Sequence, residues 1–228
     1  MSVSSEQLQP SGTVHGEHRW DFVFAAIYDR MMRGGEQRTM GRCRRELLTQ
    51  ARGRTLEIGA GTGANIPFYT DDVEELILAE PFEPMRRRLE RKLAESGRSA
   101  STLEATAESI PLEDESVDTV VSTLVLCTVD FQDRALSEVA RVLRPDGQFL
   151  YIEHVRSPSP RTARWQDRLE TPWRHFAAGC RCNRDTMAAI AAAGLSSEHK
   201  DELWAGVPPI VRPLVIGRAV KEPPPSHG

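Results

Sequence analysis

The stretch TLEIGAGTGAN contains three glycines at alternate positions, 59, 61 and 63, directly after a short strand-like run. Gly59, Gly61 and Ala64 match the spacing G-x-G-x-x-G/A, in which glycine permits a tight turn and a close approach of the backbone to a ligand. Gly63 is an additional glycine that this fingerprint does not require, and Gly61 and Gly63 together are expected to let the backbone approach the ligand closely. The pattern predicts a strand-to-helix turn that binds a nucleotide-like ligand.

Two acidic residues bear on which ligand this turn binds. Glu57 precedes Gly59 at the end of the first predicted strand, and Glu80 ends the second. A carboxylate beside the turn would repel the pyrophosphate of a dinucleotide by kcal/mol amounts in a site of low dielectric. S-adenosylmethionine has no phosphate, and we expect Glu57 to attract its ammonium directly or through water. Glu80 is placed to accept both ribose hydroxyls, which would suit NAD equally well.

The elements that must hold these residues follow from alternating strand and helix signals. Strands are predicted in RTLEIG, EELILAEP, STLEATAES, VDTVVSTLVL, QFLYIEHV, SSEHKDELW and RPLVIGRAV, and helices in PMRRRLERKLAES, DRALSEVARVLRPDG and RDTMAAIAAAG. A helix is also expected to start after the glycine turn. This order predicts a single-domain α/β fold, with a Rossmann-like, parallel-dominated seven-stranded sheet and helices on both faces. Ligands of such sheets bind at the carboxyl ends of the strands.

Composition limits the other possibilities. The net charge of −4 disfavours a nucleic-acid partner. No stretch approaches the roughly 18 apolar residues of a membrane span, and the polar N-terminus shows no signal peptide, so we expect a cytoplasmic protein. The four cysteines form no C-x-x-C pair, which predicts neither a disulfide framework nor a metal site. Nothing in the sequence indicates an oligomeric state.

With these residues in place, the chain resembles the class I S-adenosylmethionine-dependent methyltransferases over most of residues 20–220. The segment RVLRPDGQFLYIEHV is similar to a helix and strand of the ubiquinone and menaquinone methyltransferases. The segments LVLCTV, EHV, WQDRLETPWRHFAAGCRCNRDT and VRPLVIGRAV together resemble the methyltransferase-like alkyl thiol S-methyltransferases.

The resemblance implies S-adenosylmethionine as cofactor and S-adenosylhomocysteine as product. It places Ala107 at the adenine through its backbone and Glu108 through its side chain. Thr123 and Leu124 would lie nearest the methionine end, and Tyr28 would lie over the cofactor. The other positions assigned to the cofactor site are Ala60, Asn65, Pro81 and Met85.

Composition at the two ends and the resemblance between them give the expected domain organisation. Residues 1–18 are expected to form a flexible N-terminal segment, and residues 221–228 a disordered tail. Residues 19–220 would form the methyltransferase domain, in which residues 157–184 are an insert on the acceptor side.

The expected activity is methyl transfer to a small-molecule acceptor, with a thiol as the first candidate. His154 is placed to act as a base towards a thiol, and a structural role is the alternative. Trp165, Trp173 and Phe176 either roof an apolar acceptor pocket or anchor the insert. An O- or C-methyltransferase of a phenolic or quinone-like metabolite is the alternative within this class. An NAD-dependent oxidoreductase and a non-catalytic cofactor-binding protein are the alternatives outside it.

Overall fold

The computed structural model describes residues 39–177 and 179–221, so Tyr28, the proposed N-terminal segment and residues 222–228 of the proposed tail lie outside the described residues. Seven strands form one sheet in the order β3-β2-β1-β4-β5-β7-β6. The strands are β1 (Gly53–Ile58), β2 (Val73–Ala79), β3 (Ser101–Leu103), β4 (Val117–Thr123), β5 (Leu143–His154), β6 (Leu195–Leu203) and β7 (Pro213–Lys221). The helices are α1 (Gly41–Leu48), α2 (Glu83–Ser96), α3 (Gln132–Val142), α4 (Pro160–Phe176) and α5 (Thr186–Ala192).

The sheet is parallel from β3 to β5, and only β7 runs antiparallel to its neighbours β5 and β6. The carboxyl ends of β1, β2, β4 and β5 therefore meet at one edge, which we call the carboxyl edge. The predicted fold class, a parallel-dominated seven-stranded sheet, is confirmed.

Helices cover both faces of the sheet because the central strands are apolar on both sides. On one face, Leu48 of α1 and Leu89 of α2 pack with Leu78 and Leu150 of the sheet. On the other face, α3 and α5 pack against a second cluster that includes Phe149. Among the described residues, no helix is long and apolar enough to cross a membrane.

Several elements differ from the sequence-based expectation. The helix expected in DRALSEVARVLRPDG ends at Val142, and residues 143–147 belong to β5 instead. The strand expected in VDTVVSTLVL ends at Thr123. β3 spans only Ser101–Leu103, because this edge strand pairs with β2 alone. The glycine turn leads not to an α-helix but to the short 3-10 helix Ile66–Phe68, where Pro67 provides no N–H for an α-helical ladder. The insert contains the 17-residue helix α4, which continues through Pro172.

Candidate functional site

The glycine turn combines packing with an open surface. Gly59, Gly61 and Gly63 have φ values of 57°, 57° and 79°, in the left-handed region that favours glycine. A Cβ at Gly59 would lie 2.6 Å from the Val125 side chain, and one at Gly63 would lie 2.6 Å from Ile66. A Cβ at Gly61 would meet no atom of the described part of the chain within 4 Å. Gly61 is therefore the position where a ligand has room to approach the backbone.

Glu80 lies beside this open position. Its Oε2 accepts a hydrogen bond from the Gly61 N–H at 2.8 Å, and its Oε1 accepts one from the Phe82 N–H at 2.9 Å. Burial raises the pKa of Glu80, and these two bonds oppose the rise. Each carboxylate oxygen can accept a further hydrogen bond. The carboxylate thus fits a ligand that presents hydroxyl donors above the turn.

Glu57 lies beneath the turn, where only 3% of its surface is exposed. The Tyr69 hydroxyl donates to Oε2 at 2.6 Å, and Asn65 Nδ2 donates to Oε1 at 2.9 Å. Asn65 Nδ2 also lies 3.0 Å from Thr123 Oγ1, and Arg44 donates to Asn65 Oδ1. Burial raises the pKa of Glu57 to about 7, although the Tyr69 bond and the Arg44 charge oppose this. One buried network therefore joins the ends of β1 and β4.

This network was only partly predicted. The structure brings Glu57, Asn65 and Thr123 together, as the sequence suggested, but it engages both Glu57 oxygens with protein donors. Tyr69 and Arg44 were missed, because nothing in the local sequence indicates that the 3-10 helix turns Tyr69 back onto β1. A contact between Glu57 and a ligand ammonium stays a prediction.

The loop after β4 is held by a second buried carboxylate. Leu124 adopts a φ of 61°, which is unusual for a residue other than glycine. Glu153, fully buried at the end of β5, accepts four hydrogen bonds from this region. The donors are the Ser122 hydroxyl at 2.6 Å and the N–H groups of Val125, Leu126 and Cys127 at 3.0, 3.1 and 3.3 Å. Burial raises the pKa of Glu153, and these bonds oppose the rise.

Glu153 was missed by the sequence analysis, although it precedes His154 in the quoted segment EHV. Its signal is an acid inside an otherwise apolar strand, which requires several donors in the folded protein. Because Glu153 fixes the loop that contains Leu124, it positions the predicted methionine end of the site.

His154 is buried and stacks on Trp204, with ring centroids 5.6 Å apart and planes inclined by 22°. Burial lowers its pKa to about 4, so the imidazole is neutral near pH 7. Nδ1 has no hydrogen-bond partner among the residues that the structure describes. Such a low pKa suits a structural histidine better than a base, and the catalytic role stays a prediction.

The other predicted positions lie around the carboxyl edge. The Ala60 N–H donates to the Ala79 carbonyl at 2.9 Å, which fixes the turn to β2. Pro81 and Met85 flank the start of α2. Ala107 and Glu108 lie in the loop after β3, and Ala107 is buried. Glu108 Oε1 accepts hydrogen bonds from the N–H groups of Asp130 and Phe131 at 3.0 and 3.4 Å.

The three aromatic residues of the insert have different environments. Trp165 and Phe176 are exposed by 51% and 63%. Trp173 packs against the apolar cluster of Cys127, Cys180, Cys182, Ile210 and Val211. Trp173 therefore anchors the insert, whereas Trp165 and Phe176 lie at its surface.

Comparison with known proteins gives concordant results. A family model described as a methyltransferase domain matches residues 56–151. The human thiol S-methyltransferase TMT1A is 32% identical over 211 residues, which cover 87% of this chain and 83% of the relative. Human thiol S-methyltransferase TMT1B is 35% identical over 200 residues, which cover 81% of this chain and 80% of the relative.

A solved structure supports the fold. The crystal structure of a SAM-dependent methyltransferase from Thermotoga maritima, described as a possible histamine N-methyltransferase, superposes with a TM-score of 0.65 at 22% identity. The match covers 90% of this chain and all of that one. At 22% identity, this similarity supports the fold and says nothing about the acceptor.

Proposed function

The chain belongs to the S-adenosylmethionine-dependent methyltransferases, and from this premise we propose that it methylates the sulfur of a small-molecule thiol. The observation that carries the proposal is the likeness to thiol S-methyltransferases over about four fifths of both chains. The acceptor of those relatives is assigned to this chain by inference from that likeness.

The charge of the site supports the cofactor. Two largely buried carboxylates, Glu57 and Glu80, flank the turn, and Glu80 is bonded to the Gly61 N–H. A diphosphate at this turn would face both carboxylates, whereas a zwitterionic, phosphate-free ligand would place a cationic group near one and hydroxyl donors near the other. The residues present therefore fit S-adenosylmethionine better than NAD.

We assign the binding roles accordingly. Glu80 would accept the ribose hydroxyls, and the Gly61 backbone would approach the amino-acid portion. Glu57 would favour the ammonium through the buried network with Asn65. Thr123 and Leu124, at the end of β4, would border the reacting end, where Glu153 keeps their loop in place.

The bound cofactor supplies an activated methyl group on a sulfonium, so the protein need only align a nucleophile and exclude water. A thiolate is the reactive form of a thiol acceptor. Because His154 is buried with a pKa of about 4, it would remove a thiol proton inefficiently at neutral pH. We therefore propose that the acceptor reacts as a thiolate formed in solution or at the site mouth.

The test is an acceptor panel with isotopically labelled S-adenosylmethionine. It contains an alkyl thiol, the alcohol of the same carbon skeleton, a phenol and a quinol, and mass spectrometry identifies the methylated atom. We expect a methyl thioether from the thiol and no product from the alcohol. Label on the phenol or quinol alone would replace the proposal by O- or C-methylation. Cofactor binding without any product would indicate a non-catalytic protein, and NADH binding with hydride transfer an oxidoreductase.

A further inference from the structure

Two cysteines that are distant in sequence meet at the carboxyl edge. Cys127 lies in the loop after β4, and Cys180 lies in the segment after α4. Their sulfur atoms are 3.8 Å apart, although the residues are separated by 53 positions. Both side chains are buried, with exposed fractions of 1% and 7%.

The backbones around the two thiols are already docked. The Arg181 N–H donates to the Cys127 carbonyl at 2.7 Å. The Arg184 guanidinium donates to the carbonyls of Leu126 and Val129 at 2.5 and 2.7 Å. These contacts hold the segment 180–184 against the loop 126–129. The two sulfur atoms can therefore reach bonding distance with only a small movement of the chain.

We propose that Cys127 and Cys180 form a reversible intrachain disulfide that tethers the segment after α4 to the loop after β4 and restricts that loop. A disulfide has an S–S length of about 2.05 Å, so closure requires an approach of less than about 2 Å from the present separation. The third cysteine of the cluster, Cys182, supplies no such contact to Cys127 among the described residues.

The two thiols are chemically unequal, which defines their order of reaction. The contact with Cys127 lowers the pKa of Cys180, whereas the same contact and burial raise the pKa of Cys127 well above its ordinary value. Cys180 is also the more exposed of the two. Cys180 is therefore the thiol that reacts first with an oxidant, and Cys127 resolves the product.

A peroxide is small enough to serve as oxidant. The Cys180 thiolate attacks one oxygen of hydrogen peroxide, the O–O bond breaks, and hydroxide leaves as a sulfenic acid forms. Cys127 then attacks the Cys180 sulfur, the S–O bond breaks, and the Cys127 proton leaves with that oxygen as water. Together the two thiols lose two electrons and two protons, and one peroxide becomes two waters. An external thiol reverses the step by exchange.

The disulfide would act on the loop that borders the reacting end. The Cys127 thiol donates a hydrogen bond to the Leu124 carbonyl oxygen at 3.6 Å, and a disulfide would remove this donor. Leu124 holds the unusual φ of 61° in that loop. Restriction of this loop is expected to lower the rate of methyl transfer, a consequence that rests on the proposed function.

Peptide mapping tests the disulfide directly. Trypsin releases Cys127 in peptide 99–134, Cys180 in peptide 175–181 and Cys182 in peptide 182–184. After limited peroxide treatment and alkylation, we expect a reductant-sensitive link between peptides 99–134 and 175–181. The variant Cys180→Ser should lose the link, whereas the matched control Cys182→Ser should keep it.

Hydrogen exchange tests the restriction. Amides of residues 124–129 should exchange more slowly in the oxidised protein, and this change should be absent in Cys180→Ser. Overoxidation of Cys180 without a link, a link to Cys182 instead, or unchanged exchange in the linked protein would each overturn the proposal. Link and slowed exchange in a protein that methylates no thiol would overturn only the proposed function.

Discussion

Binding of S-adenosylhomocysteine should become tighter as the pH rises from about 5 to about 8, and the substitution Glu57→Gln should remove most of this gain. The reason is the buried position of Glu57, whose pKa burial raises to about 7 in the ligand-free protein. A ligand ammonium near the carboxylate favours its ionised form. Binding then requires release of a proton below pH 7, and that requirement weakens binding.

The size of the effect follows from the two pKa values of Glu57. If the ammonium returns the pKa from about 7 to the ordinary value of 4.5, the difference is about 2.5. This corresponds to an upper limit of ~3.4 kcal/mol, or about 300-fold in affinity, between the two pH limits. The sign is fixed: the gain is fully present above the ligand-free pKa of about 7 and is lost as the pH falls towards 4.5.

Isothermal titration calorimetry measures both the affinity and the number of protons released, when buffers of different ionisation enthalpy are compared. The Glu57→Gln variant is the matched control, because it shares the titration of the ligand's own amino group. Glutamine can still accept from Asn65 and can donate to the Tyr69 oxygen, so the network keeps its partners. Parallel pH profiles for wild type and variant would show that Glu57 does not sense the ligand charge.

Three further predictions concern residues of the same edge. Burial lowers the pKa of His154 from 6.5 to about 4, so the free energy of unfolding should fall by up to ~3.4 kcal/mol as the pH drops from 6.5 to 4. The substitution His154→Gln should flatten this pH dependence in urea titrations, and an unaltered slope in the variant would contradict the assignment. Glu153→Gln should destabilise the protein by about 1.5–3 kcal/mol in chemical denaturation, and it should lower kcat more than it changes cofactor affinity. Wild-type stability together with wild-type kcat would refute the positioning role. Gly61→Ala and Gly97→Ala should each cost about 1–2 kcal/mol of stability, because both glycines have positive φ and open space at Cβ, but calorimetry should show weaker cofactor binding for Gly61→Ala alone. Equal cofactor affinities for the two alanine variants would place the ligand away from Gly61.

The sheet was predictable because its central strands carry continuous apolar runs between turn signals. VDTVVSTLVL and QFLYIEHV predict buried strands on composition alone, and they contain all of β4 and the carboxyl-terminal part of β5. The edge strand β3 was overestimated, because the sequence STLEATAES has strand-like residues but pairs over only three positions. Strand pairing at an edge depends on neighbours that local sequence does not specify.

The site was predictable where function lies in a local motif and unpredictable where it depends on tertiary contacts. Gly61 and Glu80 follow from spacing and strand ends, and the structure joins them by a hydrogen bond. Tyr69 directly follows the 3-10 helix Ile66–Phe68, and its contact with Glu57 is a tertiary contact that the local sequence does not indicate. The Cys127–Cys180 contact arises between two loops that no local pattern relates.

The strand-end acids of this fold have two kinds of duty, and their contacts separate them. Glu153 accepts four hydrogen bonds from the neighbouring loop and is fully buried, so it satisfies amides that would otherwise be buried without partners. Glu80 accepts two hydrogen bonds from the residues that the structure describes and borders the open space at Gly61, so it retains capacity for a ligand. Glu57 is intermediate, because its oxygens are engaged but its pKa near 7 leaves its charge responsive. In this chain, the acids at the ends of β1, β2 and β5 all lie at the carboxyl edge, and their unused acceptor capacity separates the one that serves the fold from the one that can serve the ligand.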